Sequence, residues 1–165
     1  MIKRPILVLL TICLISTNRS YAQKLLPDVT LTNLKGNSIS ILDEIDQSKV
    51  TILNFWATWC IPCINELEAI NDIYEDWQED LNVELIAVST DDSRTQKRVR
   101  PLVNGKDWPY KILFDKNHDL KRSLNIPSVP YTIIVFENKI LFRKSGYTPG
   151  SEYELYEFIE QLATK

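Results

Sequence analysis

Val50-Thr51-Ile52-Leu53-Asn54-Phe55-Trp56-Ala57-Thr58-Trp59-Cys60-Ile61-Pro62-Cys63 is the stretch on which the reading of this chain turns. Val50 to Trp56 is apolar except at Thr51 and Asn54, which suits a central strand buried on both faces. After Cys60 the period changes. Leu67, Ile70, Ile73 or Tyr74, and Trp77 recur at helical spacing, with Glu66, Glu68, Asp72, Glu75 and Asp76 between them. The pattern predicts one helix from near Cys60 to about Glu79. Cys60 therefore stands where a buried strand hands over to a helix N-terminus. There it meets backbone N–H groups that lack helical partners, and the positive end of the helix dipole. Both favour thiolate over thiol, and thiolate is the nucleophile of disulfide exchange. Cys63 follows about one turn later, within reach of a mixed disulfide formed at Cys60. Pro62 fits the first turn, where its missing N–H costs no helical bond.

Other roles for the pair are weaker on chemical grounds. A purely structural disulfide across so short a loop would add only about 2 kcal/mol by loop entropy. Half of a zinc site needs two further ligands; the chain has one histidine, His118, and otherwise only carboxylates. His118 lies among Asp115, Lys116, Asn117 and Asp119, a turn-like composition that reads as solvated. It is also the one candidate for a Cys–His copper site, the basis of an alternative reading as a non-enzymatic copper- or thiol-binding module. No metal or organic cofactor is expected.

Outward from the motif, Val29 to Leu31 alternates, turns at Lys35-Gly36-Asn37 and resumes at Ile39 and Ile41, which predicts a β-hairpin. Val83 to Ser89 reads as the next strand, and Ser93 as the N-cap of a helix ending near Asn104-Gly105. A short strand at Ile112 to Phe114 and a small helix around His118 to Leu124 follow. Tyr131 to Phe136 and Ile140 to Lys144 flank a turn at Glu137-Asn138-Lys139, and a last helix covers Ser151 to Ala163. Strands alternating with helices, then a hairpin, imply an α/β domain whose central mixed sheet carries helices on both faces, with an extra hairpin at its N-terminal end.

The 165 residues are enough for one domain with a real core and too few for two, and 44% hydrophobic with 25% charged residues is ordinary for a globular protein. Residues 1–22 read separately. Lys3 and Arg4 precede an apolar stretch from Ile6 to Ile15, and Ser20-Tyr21-Ala22 ends the segment with small residues where a signal peptidase reads. Roughly ten apolar residues span about 15 Å as helix, half of a bilayer core, so a cleaved secretory signal is favoured over an uncleaved anchor. Residues 23–165 then form the domain, in the periplasm or outside the cell. Cleavage removes Cys13, Lys3, Arg4 and Arg19 and no acid, so the net charge moves from −3 to −6. Such an acidic domain has no electrostatic reason to bind nucleic acid. Its one basic cluster, Arg94, Lys97, Arg98 and Arg100, reads as a solvated helix face. Cys60 and Cys63 are left as its two thiols, in a compartment that permits disulfides.

The run from Leu53 to Cys60 with Pro62-Cys63 resembles the thioredoxin superfamily, and within it the TlpA/ResA-like periplasmic thiol–disulfide oxidoreductases of the AhpC/TSA–Redoxin type. The resemblance covers about residues 26 to 163. It implies a thioredoxin-like fold and an enzyme that cycles between dithiol and disulfide, with Cys60 as the exposed nucleophile and Cys63 as the shielded resolving thiol. Val129-Pro130-Tyr131-Thr132 resembles the family's cis-proline loop, which makes Pro130 cis and Pro127 a trans loop proline. Trp59, Ile61, Pro62, Val129 and Pro130 would form the surface that holds a partner's extended segment. Thioredoxins proper carry a buried acid where this chain has Asn54; some TlpA/ResA-like proteins place a Glu at the position of Glu66. Glu66 either accepts the proton that Cys63 must lose or only complements the helix N-terminus. The implied partners are exported disulfide-containing proteins, apocytochrome c among them, and a membrane protein that donates thiols. Strong oxidants of this fold place a His beside the nucleophile; Ile61 and Pro62 cannot donate a side-chain hydrogen bond, which points to a reductase. An oxidase or isomerase of the same fold is the alternative. A peroxiredoxin-like reading fails, because Thr58 stands too close to Cys60 and the upstream Pro is absent.

Overall fold

The computed structural model describes residues 24–163, so the export signal expected over residues 1–22 lies outside it. The elements run β1 (Thr30–Asn33), β2 (Ser38–Ser40), α1 (Ile41–Glu44), β3 (Val50–Trp56), α2 (Ile61–Asn71), α3 (Tyr74–Leu81) and β4 (Val83–Ser89). A 3-10 turn (Gln96–Arg98) leads into α4 (Val99–Lys106), followed by β5 (Lys111–Phe114), α5 (Asp119–Ser123), β6 (Tyr131–Phe136), β7 (Lys139–Ser145) and α6 (Ser151–Ala163). The seven strands form one sheet in the order β2-β1-β5-β4-β3-β6-β7. β3, β4 and β5 are parallel; β6 and β7 join one side antiparallel, and the β1–β2 pair joins the other.

The apolar run of β3 has the cause expected of it: every residue from Val50 to Trp56 is buried. Because successive side chains point to opposite faces, Ile52 and Trp56 enter one core with Leu67 and Ile70 of α2, Trp77 of α3, and Leu155 and Ile159 of α6. Leu53 and Phe55 enter the other, with Ile41 of α1 and Leu120 of α5. Asn54 shares the first face and faces α2. This parity places the active motif, since β3 delivers Cys60 at its C-terminal end while its midpoint presents a polar side chain under the helix that follows. Among the described residues, no helix is long and apolar enough to cross a membrane.

Three local expectations need correction. The helix expected from Cys60 to Glu79 is two helices, broken at Asp72 and Ile73, where Ile73 adopts φ −129° and ψ 7°. The break resolves the ambiguity between Ile73 and Tyr74: Tyr74 turns inward, and its hydroxyl accepts a 2.8 Å bond from Leu85 N–H, a donor just before the stretch of β4 that β5 pairs. Ser93 is not a helix cap. Asp92 instead closes a turn ahead of the helix, its side chain accepting from Arg94 N–H at 2.9 Å and its carbonyl from the N–H groups of Thr95 and Gln96. The helix starts as a 3-10 turn capped at Thr95 without a side-chain bond. The second strand of the leading hairpin stops at Ser40, whose hydroxyl caps α1 by accepting from Leu42 N–H.

Candidate active site

Cys60 is the N-cap of α2, and Pro62 lies in the first turn, which contains no acidic residue to offset the dipole. The Cys60 carbonyl accepts from Cys63 N–H at 3.1 Å and Ile64 N–H at 3.2 Å. The two cysteines are joined as a disulfide with Cα atoms 5.3 Å apart. In this oxidised form Cys60 is more enclosed than an exposed nucleophile should be, at 6% accessibility, while Cys63 has none. The exposed apolar surface lies on either side of Cys60, at Trp59 (59%) and Ile61 (71%); Pro62 is exposed as well. Val129 packs against the core cluster that contains both cysteines. The Val129–Pro130 peptide is cis, and the other X–Pro bonds of the described residues, Pro127 included, are not. Tyr131 pairs with Phe55, so the Val129-Pro130 segment reaches the sheet edge from which the cysteine loop departs.

Between α2 and the β3–β6 pair lies a buried polar group of three. The register pairs Asn54 with Thr132, and Glu66 descends on both from α2. Asn54 Nδ2 donates to Glu66 Oε2 at 2.8 Å and to Thr132 Oγ1 at 3.0 Å, and Thr132 Oγ1 donates to Glu66 Oε1 at 3.0 Å. Glu66 is 1% accessible. It lies beyond the first turn of α2 and is buried against Asn54 of β3 and Thr132 of β6. Burial pushes its carboxyl above the ordinary value; the bonds from Asn54 and Thr132 pull it back, Lys144 also lowers it, and Glu152 raises it. The carboxyl is thus held as a group that can take up a proton nearer neutral pH than a free glutamate can.

A second polar cluster, which the sequence reading missed, secures the loop before Cys60. Asp91, fully buried just after β4, accepts from Thr58 N–H at 2.9 Å, from Thr58 Oγ1 at 2.6 Å and from Ser89 Oγ at 3.0 Å. Thr90 adds bonds from its N–H and its hydroxyl to the Trp56 carbonyl. The signal for this was a polar run directly after an apolar strand, whose partner lies 33 residues back. An Asp91→Ala variant leaves the buried Ser89 hydroxyl and the two partly buried donors of Thr58 without this acceptor and is expected to lose on the order of 2 kcal/mol in urea unfolding. A loss within 0.5 kcal/mol or so would mean the loop holds without this carboxylate.

His118 is not freely solvated. It opens α5 at φ 58°, half-buried, and its Nε2 lies 2.8 Å from the Thr90 carbonyl. Arg94 of the basic run pairs with Asp92, and Arg100 donates to the Leu34 carbonyl. Among the described residues, no cluster of three or more His, Cys, Asp or Glu could hold a metal ion.

Comparison with known proteins agrees with this geometry. The model of the AhpC/TSA family matches residues 22–144. The thioredoxin-like protein YneN of Bacillus subtilis is 34% identical over 116 residues, which are 70% of this chain and 65% of YneN, so the match spans a little under two thirds of that relative. A thiol-disulfide oxidoreductase ResA of Bacillus cereus is 30% identical over 131 residues, 79% of this chain and 73% of ResA. Among solved structures, a thioredoxin-like protein from Porphyromonas gingivalis superposes with a TM-score of 0.76 at 39% identity, covering 84% of this chain and 92% of that one. A strand–loop–helix corner bearing Cys60 and Cys63, the mixed sheet around it and these relatives agree: the chain belongs to the AhpC/TSA family, as a TlpA/ResA-like member of the thioredoxin superfamily.

Proposed function

We infer that the chain is a thiol–disulfide oxidoreductase that acts, after export, as a reductase of disulfides in partner proteins. The observation that carries the reading is the Cys60–Cys63 pair at the N-terminus of α2, bordered by exposed Trp59 and Ile61. In the reduced protein the helix terminus favours the Cys60 thiolate. That thiolate attacks one sulfur of a partner disulfide, forming a mixed disulfide and releasing the other partner sulfur as a thiolate. Cys63 then loses its proton to the Glu66 carboxylate and attacks Cys60 sulfur. The Cys60–Cys63 bond forms, the mixed disulfide breaks, and the second partner sulfur departs as a thiolate. Two electrons pass from the enzyme dithiol to the partner. Trp59, Ile61, Pro62, Val129 and Pro130 form the surface against which an extended partner segment lies.

Reducing equivalents come from a membrane thiol-donor protein, and the clients are exported disulfide-bearing proteins, apocytochrome c among them. The direction rests on Ile61 and Pro62, neither of which offers the Cys60 thiolate a side-chain hydrogen bond. Without that support the reduced form is less stabilised, and the couple lies nearer the thioredoxin potential of about −270 mV than the DsbA potential of about −120 mV. Equilibration against a glutathione series, read by alkylation, is expected to give a midpoint in the lower half of that range. A value above about −180 mV would instead make the protein an oxidase or isomerase.

A further inference from the structure

The Asn54, Glu66 and Thr132 group has a continuation that the proposed cycle does not use. Lys144 is the register partner of Thr132 on β7, so Asn54, Thr132 and Lys144 stand side by side across three strands. Directly opposed residues of antiparallel strands hold their Cβ atoms about 4.5–5.5 Å apart on one face. That face is the one covered by α2 and α6: Phe142, two residues before Lys144, packs its ring on Phe158 of α6 at 4.7 Å. The Lys144 side chain is 15% accessible, and Nζ donates to the Ser151 carbonyl at 3.2 Å and to Glu154 at the start of α6. It runs from beside the buried Glu66 cluster towards the surface. Glu152, buried on α6, and Tyr147, in the loop before it, complete the surround. Glu152 accepts from Gly150 N–H at 3.0 Å, and burial together with the Glu152 charge raises the Tyr147 phenol. Glu66 thus contacts Asn54 of β3 and Thr132 of β6. The charged or titratable groups that act on it from the neighbouring elements are Lys144 on β7, the register partner of Thr132, Glu152 on α6 and Tyr147 in the loop. Lys144 is the one cation of this set.

We propose that Lys144, one strand from Thr132 on the same face and with its ammonium held at the start of α6, is a positioning residue for the resolving step that keeps Glu66 ionised and ready to take the Cys63 proton. The inference rests on the reading of Glu66 as that proton's acceptor. Two carboxyls share this enclosed space, and without a cation the burial of Glu66 and the charge of Glu152 would both oppose its ionisation. Lys144 acts on Glu66 by charge from the neighbouring strand on the same face, while its own hydrogen bonds go to Ser151 and Glu154 of α6 and hold that charge in place.

The test uses the full chain, reduced and mixed with the aromatic disulfide DTNB in a stopped-flow instrument. Cys60 attacks it and releases one thionitrobenzoate; Cys63 then displaces the second, and the absorbance of that second release is followed from pH 5 to 9. Lys144→Met is expected to move the acid-side midpoint of this step upward by about one pH unit, lowering the rate at the acid end about tenfold and leaving the alkaline plateau unchanged. Lys144→Arg is expected to restore the wild-type profile. Glu154→Gln, which breaks the ion pair to α6 but keeps the ammonium, is expected to leave the midpoint in place. A Lys144→Met profile that coincides with wild type overturns the proposal, as does an equal shift in Lys144→Met and Glu154→Gln, which would trace the effect to docking of α6. Glu66→Gln separates the two layers. If it abolishes the acid limb, the Glu66 reading stands whatever Lys144 does; if it retains the limb, both fall.

Discussion

A Cys63→Ser variant, reduced and mixed with an oxidised dithiol protein, is expected to accumulate as a covalent adduct through Cys60, whereas Cys60→Ser is expected to form none and to reduce its partner no faster than buffer. The asymmetry follows from position. Cys60 is the N-cap residue, with a first helical turn free of acids behind it and retained access beside Trp59 and Ile61. Cys63 is wholly buried one turn later, three residues before the buried Glu66 on the same helix. Attack from outside can therefore reach Cys60 alone, and release requires the sulfur only 5.3 Å away in Cα separation. Without Cys63 the second displacement has no nucleophile, and the mixed disulfide persists until external thiol is added. Resolved by non-reducing electrophoresis, the adduct band should vanish with dithiothreitol. Equal adduct yields from both variants would mean that the sulfurs are interchangeable, and the division into nucleophile and resolving thiol would be lost. Mass spectrometry of adducts formed in cells then names the clients.

What could be read from the sequence divides along a physical line. The runs Val50–Trp56, Val83–Ser89 and Tyr131–Phe136 are strands because strands buried on two faces must be continuously apolar, and such runs are visible locally. The cysteine pair was equally visible, since its chemistry depends on two residues one turn apart at a strand–helix junction. The break at Ile73 was not, because no Gly or Pro marks it; it accompanies a long-range contact in which the Tyr74 hydroxyl accepts from an N–H of β4. The polar clusters were hidden for a related reason. Asn54 and Thr132 are 78 residues apart in sequence, and Thr58 and Asp91 are 33; only the strand register brings each pair together. Glu66 illustrates the boundary. Its spacing from Cys63 was legible and left two roles open, whereas its burial on Asn54 and Thr132 follows from the pairing of β3 with β6.

Glu66→Gln is expected to separate activity from stability. As the proton acceptor for Cys63, Glu66 should contribute about 10²-fold to the resolving step, within the usual span of positioned general bases. Gln has nearly the same shape and retains an acceptor oxygen for Asn54, so the loss should appear in the second displacement and not in the attack by Cys60. The loss also depends on pH. A carboxyl raised by burial is ionised only above its raised value, so the wild-type rate should fall towards that of the variant as pH drops through it. Stability should move the other way. Because the folded protein holds this proton more tightly than the unfolded chain, the contribution of Glu66 to stability is present below its ordinary 4.5 and is lost as pH rises through the raised value. Gln carries no charge at any pH, so the variant should equal wild type in acid and exceed it in thermal midpoint at neutral and alkaline pH. Slower resolution with a higher midpoint at pH 8, both differences vanishing in acid, identifies a buried ionised base retained for chemistry at a cost in stability. Slower resolution accompanied by a lower midpoint at every pH would instead make Glu66 a structural brace between β3, β6 and α2. Denaturation and stopped-flow release measured on the same two proteins at pH 4, 6 and 8 decide between them.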